Sequence, residues 1–474
     1  MAAMSSTTAS TSAAATATAT RPALPPGPPT RWWGLPLLRA MRLDYLAMVQ
    51  GLHRDHGDIT HMRLFNERAY DLFTPELVRQ ALVDHADHLV RWERGVEVFE
   101  QVFGRSVLTT EGATWQRQRR MLQPAFTPRR VAGYAGLMTA AAGLALDQAL
   151  PAGVTEADTD MDRLISGLTM DVILRTLFST AATRELTDAA VGATRTLSEA
   201  AMREMFWPVT LPDWLPLPGK AAKRHALRTL RGLVVGQIAQ RRAQPDAQAG
   251  EDLLGQLLGL REDGTGAGLD DAELADQCLV SFQAGHETSA TALLWWCRLL
   301  AEHPAVADRV VQEVDATLGG RVPGPDDLAS LPWLVASLKE AMRLYPPIAA
   351  LLTRRTTAPI ELAGWAIPKG ALLRITPWLI QRDARWFDAP DTFRPERFLP
   401  DAPPPPRGAW LPFGVGPRVC IGQHFAMLEM VLVGAMLLQR FRLRLPAGAP
   451  PAVPQFHVTL RPAGGLRLRL QRRG

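Results

Sequence analysis

The 474-residue chain is 47% hydrophobic and 21% charged, proportions of a globular protein that exclude a disordered or fibrous one. Its formal net charge is +5 and its cations are nearly all arginine, lysine occurring only at 220, 223, 339 and 369; no basic block is long enough to form a nucleic-acid arm. No apolar run reaches the roughly 18–20 residues of a membrane span, and the three cysteines, Cys278, Cys297 and Cys420, are an odd, sparse set that points to a reducing, cytoplasmic compartment without disulfides.

Residues 1–20 are rich in Ala, Ser and Thr and carry no charged side chain, which predicts a disordered tail and not a signal peptide. Pro25-Pro26-Gly27-Pro28-Pro29 stiffens the approach to the folded part, so residues 1–30 read as tail and hinge. Helix is expected over 35–56, a two-stranded hairpin over 57–74 turning near Asn66-Glu67, and helix again over 75–86 from a Thr74-Pro75 start. The stretch 91–113, with Phe99, Val102, Phe103, Val107 and Leu108, reads as an apolar loop. Trp115 to Arg120 opens the next helix, with Trp115 and Arg119 four apart and so on one face, and with Arg117 and Arg120 pointing elsewhere. Residues 130–205 predict helices joined by short loops. The Pro- and Trp-rich stretch 206–219 connects two helices, and core packing is the plain reading of Trp207 and Trp214. Glu262 to Gly268 is a flexible surface loop.

From about Asp270 to Glu302 the pattern is one long helix. Its centre, Ala284-Gly285-His286-Glu287-Thr288-Ser289, sets poor helix formers in a run otherwise rich in Ala, Leu and Trp. Mid-helix Gly and Thr can open the backbone ladder and admit a water; an ordinary polar turn facing solvent is the plainer reading of the same fragment. Lys339-Glu340-Ala341-Met342-Arg343 puts Glu and Arg three apart on a helix, on its own an exposed ion pair of little value. Strands are expected within 348–378: Ile348 to Leu352, a turn at Ala363-Gly364-Trp365, then Leu372 to Ile375. Pro403 to Pro406 is a surface linker, and Phe456 to Leu460 a hairpin edge.

Between these lies Leu411 to Gly422, one cysteine among glycines. Gly414, Gly416 and Gly422 permit backbone conformations that side-chained residues resist, so the loop can fold tightly under a flat cofactor and aim N–H groups at the sulfur. Gln423 to Leu438 has helical apolar spacing, so Cys420 precedes a helix N-terminus, a position that lowers a thiol pKa. A lone cysteine is more often a small buried hydrophobe. The spacing Phe413-x-x-Gly416-x-Arg418-x-Cys420-x-Gly422, however, resembles the haem-binding signature of the cytochrome P450 family.

The resemblance implies a mainly α fold with a small β region, one domain over 31–474, and haem b between the 270–302 helix and the Cys420 loop. Cys420 would be the iron ligand, with Phe413 packed near the sulfur and Gly422 beside it. Arg418, Arg354, Trp115 and Arg119 would meet the haem propionates; the spacing after Pro346-Pro347 leaves Arg355 as the alternative to Arg354. Ala284 and Gly285 would lie on the distal side, Gly285 leaving room for oxygen, Thr288 facing the haem and Glu287 facing a solvent channel, the last two delivering protons. Glu340, Arg343 and Arg397 would form a buried network bracing the cysteine loop. The 91–113 stretch would cover substrate, and 206–219 would correspond to a mobile lid. The implied activity is insertion of one atom of O₂ into a lipophilic substrate. Electrons would come from an external ferredoxin- or flavodoxin-type donor, since no reductase is fused, docked through Arg117, Arg120, Arg129 and Arg130. A peroxide-using or rearranging haem-thiolate enzyme and a haem-based gas sensor are the alternatives; the Glu287-Thr288 pair counts against both. No nucleic acid and no transmembrane segment are expected, and the protein is expected to be a monomer.

Overall fold

In the computed structural model, which describes residues 24–207, 209–243, 252–261, 266–350 and 352–473, 56% is helix and 11% strand. The expected tail over 1–20 and loop residues 262–265 lie outside the described residues. Asp44 divides the expected 35–56 helix into α1 (Leu35–Leu43) and α2 (Tyr45–His56), because its carboxylate caps the second helix by accepting from the Ala47 N–H at 2.9 Å. β1 (Ile59–Leu64) and β2 (Glu67–Leu72) form the hairpin. α3 (Pro75–Arg79), capped by the Thr74 hydroxyl, widens into a π turn over Gln80–Asp84. After β3 (Leu89–Arg91) the expected apolar loop is instead α4 (Glu93–Phe103). Val98 and Val102, four apart, are buried there, and Phe99 and Phe103, also four apart, stack at 5.8 Å, so the stretch carries a helical repeat that its apolar density masks.

The chain continues through α5 (Gly112–Leu122), α6 (Pro128–Gly133), α7 (Ala135–Asp147), β4 (Glu156–Asp160), α8 (Met161–Phe178), α9 (Arg184–Met205), α10 (Lys220–Arg242) and α11 (Leu253–Gly259) to the central α12 (Asp271–Glu302). Asp270 caps α12 by accepting from the Glu273 N–H at 2.8 Å. α13 (Pro304–Leu318) and α14 (Pro332–Leu344) follow. The largest fully buried side chains sit where α12 meets its neighbours. Trp296 donates to Ser337 Oγ of α14 at 2.8 Å, and Trp295 donates to Leu460 O at 2.6 Å while stacking on Tyr345 at 3.7 Å.

β5 (Arg354–Thr356), β6 (Ile360–Leu362), β7 (Trp365–Ile367) and β8 (Leu372–Ile375) follow, then α15 (Pro377–Ile380), α16 (Gln423–Arg440) and β9 (Phe441–Arg444), β10 (Pro454–Phe456), β11 (Leu460–Pro462) and β12 (Arg467–Arg472). The strand expected from Ile348 starts only at Arg354, with Leu351 outside the described residues. Backbone carbonyls before it are taken by partners outside any ladder: Pro347 O accepts from Leu460 N at 2.9 Å, and Ala349 O from Trp378 N at 3.2 Å. The main sheet runs β1-β2-β8-β5-β3, with β2 and β8 parallel. That register places Asp71 beside Arg374 in a buried ion pair of 2.6 Å. α16 packs against α7, α12 and α14, so the helix after Cys420 is anchored in the same core as the central helix.

Candidate functional site

The cysteine loop is shaped by two glycines, not three. Gly414 (φ 72°) and Gly416 (φ 78°) are left-handed, and a Cβ on Gly416 would stand 2.1 Å from Leu82 O of the π turn. Gly422 has φ −87°, so conformation does not require glycine there; a Cβ would meet no protein atom within 4 Å. The Cys420 N–H donates to Phe413 O at 2.9 Å, closing the loop on itself. Cys420 is exposed, yet the dense chain around it pushes its thiol above the ordinary value, against the opposing pulls of the Gly422 N–H and Arg119. The Gly422 N–H and Arg119 are thus the groups that pull the Cys420 thiol toward thiolate.

Beneath the loop, Glu340 and Arg343 form a fully buried pair (2.7 Å), and Arg397 joins Glu340 at 3.4 Å. Arg343 spends its other N–H groups on Gln381 O and Pro390 O, both at 2.7 Å, and on Thr392 O at 3.2 Å. The bracing of the loop passes through two residues the sequence did not single out. Gln381 bonds the end of α14 through Met342 O and Arg343 O and accepts from the Leu411 N–H, while Trp410 donates to Lys339 O at 3.2 Å.

Beside the loop is a cluster of cations. Arg418 is bonded to Thr110 O (3.0 Å) and to the Glu111 carboxylate, and its guanidinium stacks 3.9 Å above Trp115. Arg354 is buried, with a bond to its neighbour's carbonyl, Thr353 O. Arg355 is committed to Glu67 (2.8 Å) and Glu93 (2.6 Å), whereas Arg354 makes no ion pair of this kind. Arg91 completes the set: its Nε has no hydrogen-bond partner and lies 3.7 Å from Glu111. Burial, then repulsion from Arg354 and Arg418, holds Arg91 down to about 9, and burial holds Arg418 down to about 10. Three guanidinium groups thus gather around one carboxylate, Arg91 and Arg418 pairing with it and Arg354 feeling its field. A planar group carrying two carboxylates fits this surplus, and the single accessible thiol beside it fits an iron that brings its other four ligands in a macrocycle. Among the described residues no group of three or more His, Cys, Asp and Glu side chains could hold a metal by itself.

On α12, Ala284 and Thr288 share one face, and both are accessible. The Thr288 hydroxyl donates to Ala284 O at 2.7 Å, and the helix is unbroken through 271–302, so the expected opening of its backbone ladder is not found. Gly285 does not make room for oxygen: its Cβ would stand 2.7 Å from Ile173 Cδ1, so this glycine lets α8 close on α12. Glu287 points toward α9 and the C-terminal hairpin. It is buried and accepts from Thr459 Oγ1 (2.9 Å) and Ser198 Oγ (3.1 Å). Burial raises its carboxyl above the ordinary range, partly offset by Arg461 and by the two hydroxyls. Arg461 in turn bonds Asp162 (3.0 Å), which bonds the exposed Arg195 (3.2 Å). His286 is held neutral by burial, down to about 4, and packs on Phe282.

An apolar pocket with Trp92, Val96, Phe99, Leu108 and Met205 in its walls also has Arg91 and Arg354 in its lining. The structure therefore brings Trp115, Arg119, Arg354 and Arg418 to the cysteine loop, adds Arg91 and Glu111, and moves Gly285 to helix packing. Arg91 was legible only as one basic residue ahead of an apolar stretch, Thr459 only as part of the hairpin edge Phe456 to Leu460, and Ser198 carried no signal.

The family described as cytochrome P450 matches residues 25–469. The chain is 34% identical to cyclooctatin synthase of Streptomyces melanosporofaciens, over 93% of this chain and 96% of that one. It is 35% identical to cyclooctat-9-en-7-ol 5-monooxygenase of the same organism (89% and 92%) and 33% identical to pentalenene oxygenase of Streptomyces avermitilis (88% and 91%). Similarity of this depth, along almost the whole length of each partner, agrees with the thiol loop and its surplus of guanidinium groups: the chain belongs to the cytochrome P450 family, the haem-thiolate monooxygenases.

Proposed function

We propose that this chain, as one domain over 31–474, hydroxylates a cyclic, unsaturated terpenoid hydrocarbon or alcohol. The observation that carries the reading is the set of apolar side chains Trp92, Val96, Phe99, Leu108 and Met205, which line a narrow hollow beside Arg91 and Arg354 and are compatible with a hydrocarbon skeleton. The names of the relatives support it, since two denote oxidation of an alkene and of an unsaturated alcohol. The cofactor is haem b, with Cys420 as its iron ligand, Phe413 and Gly422 beside the sulfur, and Trp115, Arg119, Arg354, Arg418 and Arg91 toward the propionates. When bound, the haem activates O₂ with two electrons and two protons, so that one oxygen atom enters a C–H bond and the other leaves as water. The protein's own groups do the rest. Ala284 and Thr288 present one face of α12 to the reacting side. Thr288 donates to Ala284 O and keeps its oxygen free to accept. Glu287, its carboxyl raised by burial, accepts from Thr459 and Ser198 and stands as the proton-relay group, with Arg461 and Asp162 between it and the surface.

The donor is a separate ferredoxin- or flavodoxin-type protein. Arg117 is already engaged by Glu273 at 2.7 Å, so the docking charges reduce to the exposed Arg120, Arg129 and Arg130. The sparse cysteines, none in a disulfide, support a cytoplasmic compartment, and the working unit is taken as the monomer. The assignment is tested by spectroscopy and turnover. The reduced protein with carbon monoxide is expected to show the band of thiolate ligation, lost in Cys420→His, and cyclic terpene alkenes are expected to shift the haem band on binding and to be hydroxylated. Linear fatty acids binding in their place would overturn the substrate class, and an unchanged Cys420→His spectrum would overturn the ligand.

A further inference from the structure

Gln277 of α12 is fully buried in a stretch whose neighbours Leu274, Cys278, Leu279 and Val280 are buried and apolar. An amide in such surroundings is costly unless it is bonded. Its Oε1 accepts from the Val107 N–H at 3.0 Å, in the loop between α4 and α5. Two more buried side chains hold the same loop. Asp276 of α12 accepts from the Arg105 N–H at 2.8 Å. Gln118 of α5 donates to Arg105 O at 3.0 Å and accepts from Thr110 Oγ1 at 2.7 Å. Gly104 (φ 58°) lets the loop close on α12, since a Cβ there would stand 2.1 Å from the Asp276 carboxylate. Leu108 and Thr109 of this loop line the apolar hollow.

Gln277, Ser281, Ala284 and Thr288 recur at helical spacing and lie on one face of α12. The face is open at one end and closed at the other. Ala284 and Thr288 are accessible and Ser281 is partly buried. Gln277, eleven residues before Thr288 and so about 16 Å from it along the axis, is fully buried. What covers the face there is the 104–110 loop. The loop is therefore an end wall, and one rigid helix carries both its anchor and Thr288. An apolar side chain at 277 could pack in the same space, but it would leave the Val107 N–H without an acceptor and the wall free to slide. The amide fixes the loop to one atom of the helix.

We propose that Gln277 is a specificity-determining positioning residue. By fixing the 104–110 wall to the helix that carries Thr288, it sets the length of skeleton that fits between the wall and the reacting group, and so which carbon is presented for oxidation. The inference rests on the reading of the apolar hollow as part of the substrate site and goes beyond it in naming what measures the substrate.

The test is spectral titration of the full-length haem-loaded protein with 1-alkylimidazoles, from butyl to dodecyl. The ring nitrogen binds the iron, so each tail is measured from one origin, and no turnover is needed. Each added methylene is expected to tighten binding about fourfold until the tail meets the wall, after which affinity levels or falls. In Gln277→Met, similar in size but without the acceptor, tails just past the wild-type limit are expected to bind about tenfold tighter than in wild type. Exchange of the Val107 amide should quicken about tenfold in the same variant. Gln277→Glu keeps an oxygen for Val107 and is expected to keep the limit. Gln283→Leu, which removes a buried glutamine from another face of α12, should keep it too. A wild-type series with no limit, a limit unchanged in Gln277→Met, or an equal shift in Gln283→Leu overturns the proposal. So does loss of haem from Gln277→Met, read from the carbon monoxide spectrum, which would make the residue structural. The substrate reading fails separately: if cyclic terpene alkenes leave the haem band unmoved while the tail limit depends on Gln277, the wall stands and the substrate class falls.

Discussion

Two networks of buried charge reach the cysteine loop, and they are balanced differently. In the first, Glu340 accepts from Arg343, from Arg397 and from the Arg394 N–H, and the remaining donors of Arg343 are absorbed by three backbone carbonyls. Nothing is left over, and such a network can only hold structure. In the second, Arg91 and Arg418 pair with Glu111, Arg354 feels the same carboxylate only through its field, and Arg91 Nε has no hydrogen-bond partner. Surplus charge inside a protein is costly, so its presence marks a place where an anion completes the fold. A third case shows what happens when neither solution is available. Glu429 of α16 is fully buried with no cation paired to it, and burial, opposed only by the neighbouring Ser289 hydroxyl, pushes its pKa up to about 8. It holds a proton because no cation is there to hold it instead.

The largest effect should come from breaking the balanced network. Glu340→Gln leaves Arg343 charged, buried and facing a neutral amide. The expected loss is about 3–5 kcal/mol of unfolding free energy, with poor haem retention as the loop loses its support. Urea unfolding of the purified variant measures it. A loss below about 1 kcal/mol would show that the carbonyls alone satisfy Arg343.

Glu429 comes next, with a pH dependence whose sign follows from its raised pKa. Between the ordinary carboxyl range and about pH 8 the unfolded chain has released this proton and the folded chain retains it. Stability must therefore fall as pH rises through that window. Glu429→Gln, which cannot ionise, should flatten the slope and gain about 2–4 kcal/mol relative to wild type by pH 8. A variant with the same slope as wild type between about pH 5 and 8 would place the titrating group elsewhere.

The surplus network is tested by haem loss. Arg354→Leu or Arg91→Leu removes one charge-assisted contact, worth about 1.5–3 kcal/mol, so haem transfer to an excess of acceptor protein should quicken about 10–100-fold. Arg355→Leu is the control, since its guanidinium serves Glu67 and Glu93. Equal haem loss from Arg354→Leu and Arg355→Leu would mean that the arginine beside the haem is not decided by these bonds.

What the sequence made legible divides along a physical line. The Cys420 loop, the Glu340–Arg343 pair and the long helix are local: each is a spacing of a few residues whose geometry is set by one turn or one helix face. α4 was equally local and was misread because its apolar residues outweighed their repeat. The rest depended on distant chain. Gln381 matters because of where Leu411 comes to lie, and Glu287 is shut from solvent by Ser198 and Thr459, from α9 and the C-terminal hairpin. Gly285 has its reason in Ile173 of α8. Trp207 and Trp214, expected in the core, are 51% and 75% exposed, on a stretch that Lys220 and Lys223 hold at Asp213. Spacing in sequence carries no information about such partners, and a glycine in a motif does not say which neighbour it admits.

The smallest structural effect, and the most informative functional one, belongs to Thr288. It has a built-in comparison three residues on, because Thr288 and Thr291 make the same bond: each hydroxyl donates to the carbonyl four residues back, at 2.7 and 2.8 Å. Thr291 is buried and its oxygen faces packed side chains, whereas Thr288 is accessible beside Ala284. Such back-bonds add little to a helix, so Thr288→Ala should change unfolding free energy by no more than about 0.5 kcal/mol. Thr291→Ala opens a small cavity and should cost about 1 kcal/mol. Turnover should reverse the order. With a competent donor, Thr288→Ala is expected to bind haem and substrate and to consume NADPH, yet to form about tenfold less product per NADPH, with the missing electrons recovered as hydrogen peroxide. Thr291→Ala should keep wild-type coupling. If both variants couple like wild type, the accessible hydroxyl is as structural as the buried one, and proton delivery must run from Glu287 through water alone. If both uncouple, the shared bond matters through the shape of α12, and the accessibility of Thr288 has no catalytic meaning.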